Sequence, residues 1–157
     1  MGQPGEGISL IQQALSEFPR GANLGAPFHL VALAELHGKA EQPEERLKRL
    51  AEAAVLVEKT GERRAAAEMH RLCGILLLSM NKHNAAEDSL NQALAVARQQ
   101  NGKFWELRAA TSLAQLWRDQ GKQSGAHGLL APIHDWFTEG FDTPDLRNAK
   151  IFRDELR

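Results

Sequence analysis

The chain has 157 residues, 43% of them hydrophobic and 25% charged, with 19 basic against 20 acidic side chains. That is enough for one ordinary domain with its own core, and too evenly balanced for a dominant electrostatic pull toward nucleic acid or an anionic membrane. No apolar run approaches the roughly 18 residues of a membrane span, the opening MGQPGEG has no signal-peptide pattern, and a lone cysteine, Cys73, excludes an intramolecular disulfide and predicts a reducing, cytoplasmic setting.

The first stretch, MGQPGEGISLIQQAL, aligns with MNKHNAAEDSLNQAL further along, pairing Gly7 with Ala86, Ile11 with Leu90 and Ala14 with Ala93. Residues 1–20 are therefore expected to hold only the second helix of a pair. The missing first helix would have covered Ile8, Ile11 and Leu15, so the chain is expected to be a fragment of a longer protein, able to pair with a second copy through residues 4 to 18. Helix pairs are then predicted over 26–60, 62–101 and 103–138. Leu33-Ala34-Glu35-Leu36 returns as Leu113-Ala114-Gln115-Leu116, with Cys73-Gly74-Ile75-Leu76 midway. Leu50, Leu90 and Leu130 keep the same register, as do Ala53, Ala93 and Ile133; Ala86 matches Ala126, whereas Arg46 breaks that column. Apolar residues at three- and four-residue steps indicate amphipathic helices, and no segment sustains the alternation of a strand. HGKAEQP, MNKHN and QGKQSG supply the turns within the pairs.

The small column Ala34, Gly74, Ala114 is read as the site of closest helix approach, flanked by leucines that fill the grooves. Because one pair cannot bury both its faces, the pairs must stack. In WFTEGFDTPDL, residues 136–146, Thr143 is placed as an N-cap, Pro144 at the first helical position and Asp145 in the first turn. The helix that follows, within 143–157, carries Leu146, Ala149, Phe152 and Leu156 on one side, so the stretch is expected to cap the stack rather than form a ligand-binding loop. Trp136, Phe137 and Phe141 are expected to pack where it docks.

These columns resemble the tetratricopeptide repeat. Cys73-Gly74 stands at the large-small pair of its first helix and Leu77 at its next bulky position; Ala86, Leu90 and Ala93 fill the positions of the second helix. The period departs from the usual 34 residues, and no helix-ending proline stands near Arg98, which suggests the longer-helix variety. The predicted fold is thus all-α, a superhelix of stacked antiparallel helix pairs with a C-terminal capping helix. More closely, ELRAATSLAQLWRDQGK with LLAPIHDWFTEGFDTPDL is similar, across about residues 62–157, to the C-terminal end of large bacterial signalling proteins. In that family a class III adenylate/guanylate cyclase domain or a DNA-binding domain precedes a predicted ATPase and a tetratricopeptide tail. The resemblance implies a regulatory tail, with any cyclase or ATP-binding motif upstream.

The chain itself carries no GxxxxGK[ST], GxGxxG or HExxH pattern, and neither a catalytic residue nor a cofactor is assigned. His127, His134 and Asp135 invite a metal reading but fall short of three convergent protein ligands, so no metal is assigned. His29 and His37 are read as helix-surface residues, His83 as a turn residue, and Cys73 as a small buried hydrophobe with an inert thiol. Asp142, Asp145, Glu139 and Glu155 are read as complements to a helix dipole rather than an acid/base pair. The expected function is protein interaction, with a peptide or another domain of the parent held on the face of the first helices by Glu35, Arg71, Ile75, Arg108, Thr111, Gln115 and Arg118. The alternatives are a sensor binding a small molecule between helices, or part of a nucleotide cyclase whose catalytic residues lie upstream.

Overall fold

A computed structural model describes residues 4–17 and 25–157, so the first three and last three positions of the predicted partial repeat lie outside the described residues. The described chain is helical with no strand, in the order α1 (Pro4–Glu17), α2 (Ala26–Lys39), α3 (Pro43–Thr60), α4 (Ala66–Ser79), α5 (His83–Gln99), α6 (Lys103–Asp119), α7 (Gln123–Asp135) and α8 (Pro144–Glu155). None of these helices is long and apolar enough to cross a membrane. Helices α2/α3, α4/α5 and α6/α7 form three successive pairs, and each first helix also meets the first helix of the next pair.

The repeat is written into the backbone as well as the side chains. Within each pair one turn residue adopts the left-handed conformation at the same register: Glu41 at φ 55°, Asn81 at φ 57° and Gly121 at φ 77°. The following amide reaches back to the first helix in all three, Gln42 N to His37 O (2.9 Å), Lys82 N to Leu77 O (2.9 Å) and Lys122 N to Trp117 O (2.8 Å). These bonds satisfy carbonyls that a helix end otherwise leaves unpaired. The longer connections use Gly61 (φ 71°) and Asn101 (φ 53°) in the same way.

Close approach occurs where the small column predicts it. Ala34 and Ala114 are fully buried, and a Cβ added to Gly74 would fall 2.7 Å from Leu90 Cγ and 3.2 Å from the Ala86 carbonyl oxygen. Leu50, Leu90 and Leu130 are buried opposite, with Ala53, Ala93 and Ile133 beside them. Arg46, the residue that breaks the Ala86/Ala126 column, is accommodated by Gly38, whose added Cβ would lie 2.9 Å from the Arg46 guanidinium. That guanidinium donates to the Leu72 carbonyl at 3.1 Å, crossing from one pair to the next.

The closing helix extends the register. Ala66, Met69, Leu72 and Leu76 of α4 are buried, as are Glu106, Ala109, Ser112 and Leu116 of α6, and Leu146, Ala149 and Phe152 of α8 with Leu156 at its C-cap. Helix α8 therefore takes the place of a fourth first helix, covering α6 and α7. Two details of its entry differ from the sequence reading. Thr143 occupies the N-cap position with extended backbone, but its hydroxyl donates to the Gly140 carbonyl at 2.7 Å instead of accepting from the helix. Of the three aromatics, only Phe137 packs against the core; Trp136 is 57% and Phe141 47% exposed. Pro132, inside α7, has no N–H to offer the Gly128 carbonyl, and the helix stops a turn later.

At the other end α1 packs on α2 as a second helix would. Ile8, Ile11 and Leu15, expected to be left uncovered, instead rest half-buried against the core of the first pair. The uncovered apolar positions are Leu10, 67% exposed, and Ala14, exposed although its counterpart Ala93 is fully buried.

Candidate functional site

The first helices α2, α4, α6 and α8 present one face, and the sequence-predicted partner residues divide into three groups upon it. Arg71, Arg108, Thr111 and Gln115 line a common recess of about 150 Å³, together with Ser112, Asp145 and Asn148. Glu35 reaches its edge through Arg108. Ile75 is half-buried against the core of the first pair, and Arg118 lies outside the recess, 4.9 Å above the Phe152 ring and paired with Asp119 at 2.8 Å.

The charged residues of this face are already matched with one another. Arg71 grips Glu68 with two hydrogen bonds, Nε to Oε2 at 2.8 Å and Nη2 to Oε1 at 2.6 Å, and donates to Ser112 Oγ at 3.3 Å. Arg108 spans four helices, meeting Glu35 at 2.7 Å, Glu68 at 3.2 Å and Asp145 at 3.6 Å. Lys39 completes the set on Glu35 at 3.2 Å. Burial works against the Arg108 charge, yet Glu68, Glu35 and Asp145 together raise its pKa above the ordinary value. For Glu35, burial favours the neutral form, but Arg108 and Lys39 outweigh it and hold the carboxyl below its ordinary pKa. Arg71, Arg108 and Lys39 thus pair with Glu35, Glu68 and Asp145, with the Arg46 charge close by, and the ion pairs tie α2, α4, α6 and α8 together. Within this set the Arg71–Glu68 pair is buried, whereas Lys39 and Asp145 stand at the solvent edge.

Above this floor stand side chains that are not committed. Gln115 and Asn148 are exposed and make no side-chain hydrogen bond among the described residues, whereas the Thr111 hydroxyl is taken by the Leu107 carbonyl of its own helix at 2.8 Å. A carboxamide offers a donor and an acceptor together, the complement of a peptide group. Glu68, Ser112, Asp145 and Asn148 were not among the predicted site residues. Glu68 stands three residues before Arg71, a helical pairing distance, and Asn148 stands at the Arg108 register carried into α8; both signals were present in the sequence.

The other singled-out residues have structural partners. His37 is buried rather than on the surface, its Nδ1 2.7 Å from Gln42 Oε1 in the turn that follows. It stands at the register of Leu77 and Trp117, which are half-buried. His29 is half-buried, Nδ1 2.7 Å from the Gly25 carbonyl oxygen. Cys73 is a free, partly buried thiol whose pKa burial pushes upward despite the nearby Arg46 charge, which disfavours the nucleophilic thiolate. His134 is buried, with its Nδ1 3.0 Å from Arg153 Nη1 and 3.5 Å from Asp135 Oδ1; among the described residues no group of three or more His, Cys, Asp and Glu side chains is placed to hold a metal. Compared with models of protein families and with curated proteins, the chain matches none.

Proposed function

We propose that the chain is a protein-interaction module of tetratricopeptide type, whose first-helix face takes an extended peptide segment from a partner or from another domain of its parent. The observation that carries this reading is two exposed carboxamides without a side-chain hydrogen bond among the described residues, Gln115 and Asn148, on neighbouring first helices above a floor of ion-paired side chains. A face prepared in this way recognises peptide backbone without ordering long side chains at the moment of binding, which lowers the entropic cost. Because Arg71 and Arg108 are engaged by Glu35, Glu68 and Asp145, the ligand is not a strongly charged tail. The resemblance to regulatory tails of bacterial cyclase- and ATPase-type signalling proteins supports a regulatory rather than catalytic role.

The test is selection of peptides from a random library on the folded chain, followed by mapping of backbone amide shifts with the best binder. The expected result is saturable binding with the largest shifts at residues 71–75, 108–115 and 145–148. Binders that map to the second helices would contradict the proposal.

A further inference from the structure

A second site lies at the other side of α8, where the stretch between α7 and α8 crosses the C-terminal pair. A cleft of about 540 Å³ opens there, with Phe137, Phe141, Leu146 and Ile151 as its apolar lining. Its size and lining are those of small-molecule sites, which run to about 300–1,000 Å³ with apolar walls and a few polar groups. Phe141 at 47% and Ile151 at 58% exposure are large apolar side chains left in water at its mouth.

The charges around the cleft are not balanced. Arg153 is occupied, with Nη1 2.6 Å from Asp135 and Nη2 3.2 Å from Asp154. Arg147 and Lys150, three residues apart on α8, also line the cleft and have no side-chain partner among the described residues. His134, at the back of the cleft, is engaged as Arg153 is, its Nδ1 3.0 Å from Arg153 Nη1 and 3.5 Å from Asp135 Oδ1. Two free cations beside apolar walls call for a ligand that is anionic at one end and apolar at the other.

We propose that this cleft binds a small amphipathic carboxylate, its aromatic or aliphatic body against Phe137, Phe141 and Ile151 and its carboxylate held by Arg147 and Lys150. Walls on three sides (the end of α7, the crossing stretch and α8) suit a compact molecule rather than a peptide continuing along a face. This site is separate from the recess of the first-helix face, so either can fail without the other.

The experiment is an amide-shift titration of the whole chain with 2-naphthylacetate and with decanoate, each against its neutral primary amide. Saturable shifts are expected over residues 134–153, with each amide about tenfold or more weaker than its acid because the charge-assisted bonds are lost. The double variant Arg147→Gln/Lys150→Gln, at exposed positions, should keep its melting temperature and bind acid and amide alike. Ile151→Asp should abolish binding of both. Absence of saturable binding by either acid, equal affinity of acid and amide for the unaltered chain, or binding only by an acidic peptide would overturn the proposal.

Discussion

Replacing Gly74 by alanine sets two effects of known size against each other. In an unobstructed helix the change is favourable by about 0.8–1.0 kcal/mol from propensity alone. Here the new methyl would sit 2.7 Å from Leu90 Cγ, 2.8 Å from Leu90 Cδ2 and 3.2 Å from the backbone oxygen of Ala86. Leu90 is fully buried and Ala86 O belongs to the helix backbone, so neither neighbour can step aside cheaply. Overpacking of this kind costs about 1–3 kcal/mol. The net is a destabilisation of about 1 kcal/mol, or about 2–4 °C in melting temperature for a chain of this length. Thermal and urea unfolding followed by circular dichroism would measure it. Ala34→Gly and Ala114→Gly provide the internal contrast, since each removes a methyl that is already packed and should cost about 1 kcal/mol through propensity. Restoring space with Leu90→Ala should make Gly74→Ala less harmful than in the parent chain. A Gly74→Ala variant that melts higher by the full propensity increment would refute close approach of α4 and α5.

Three further outcomes follow from the same geometry. Glu41→Gly should stabilise the chain by about 0.5–1 kcal/mol, because Glu41 holds φ 55° where Gly121 holds the equivalent turn at φ 77° without a side-chain penalty; chemical denaturation checks it. Glu68→Ala should destabilise by about 3 kcal/mol, since it strips Arg71 of two hydrogen bonds in a buried site and leaves the charge uncompensated, and the midpoint of urea unfolding reads it. Glu35 and Glu106 have pKa values held below the ordinary 4.5, burial being outweighed by Arg108 and Lys39 for the first and by Lys103 and Arg98 for the second. Their contribution is therefore complete above 4.5 and lost as pH falls through their lowered folded values; the Glu35→Gln/Glu106→Gln variant should show a shallower acid limb in melting temperature against pH.

The repeat was legible because the constraint that creates it is local and steric. Ala34, Gly74 and Ala114 face leucines at one spacing, and any larger residue would separate the helices, so the column survives in the letters. The left-handed turns were half legible. Asn81 and Gly121 are residues that tolerate positive φ, but Glu41 gives no such signal and shares their conformation only because the flanking helices impose it. His37 was misplaced because its polarity suggested the surface, whereas its register with Leu77 and Trp117 pointed to the core and Gln42 satisfies one ring nitrogen there. For the first-helix face, periodicity located Arg71, Arg108, Thr111 and Gln115 together. It did not show that Arg108 is already spoken for, because that depends on Glu35, Glu68 and Asp145 converging from α2, α4 and α8, whereas the partner of Arg71, Glu68, stands three residues before it on one helix. Trp136 and Phe141 show the opposite limit: aromatic letters promised burial, and only Phe137 delivers it.

The most direct test of the interaction reading is the affinity of a library-selected peptide for the unaltered chain and for Gln115→Ala/Asn148→Ala, measured at low and high salt. Both side chains are exposed and unpaired, so the double variant should keep the melting temperature of the unaltered chain. Loss of two hydrogen-bonding carboxamides at about 0.5–1.5 kcal/mol each should weaken binding by about tenfold, with little dependence on salt because the charged side chains of the floor are ion-paired. An unchanged affinity, or one that falls steeply with salt in both proteins, would contradict the account.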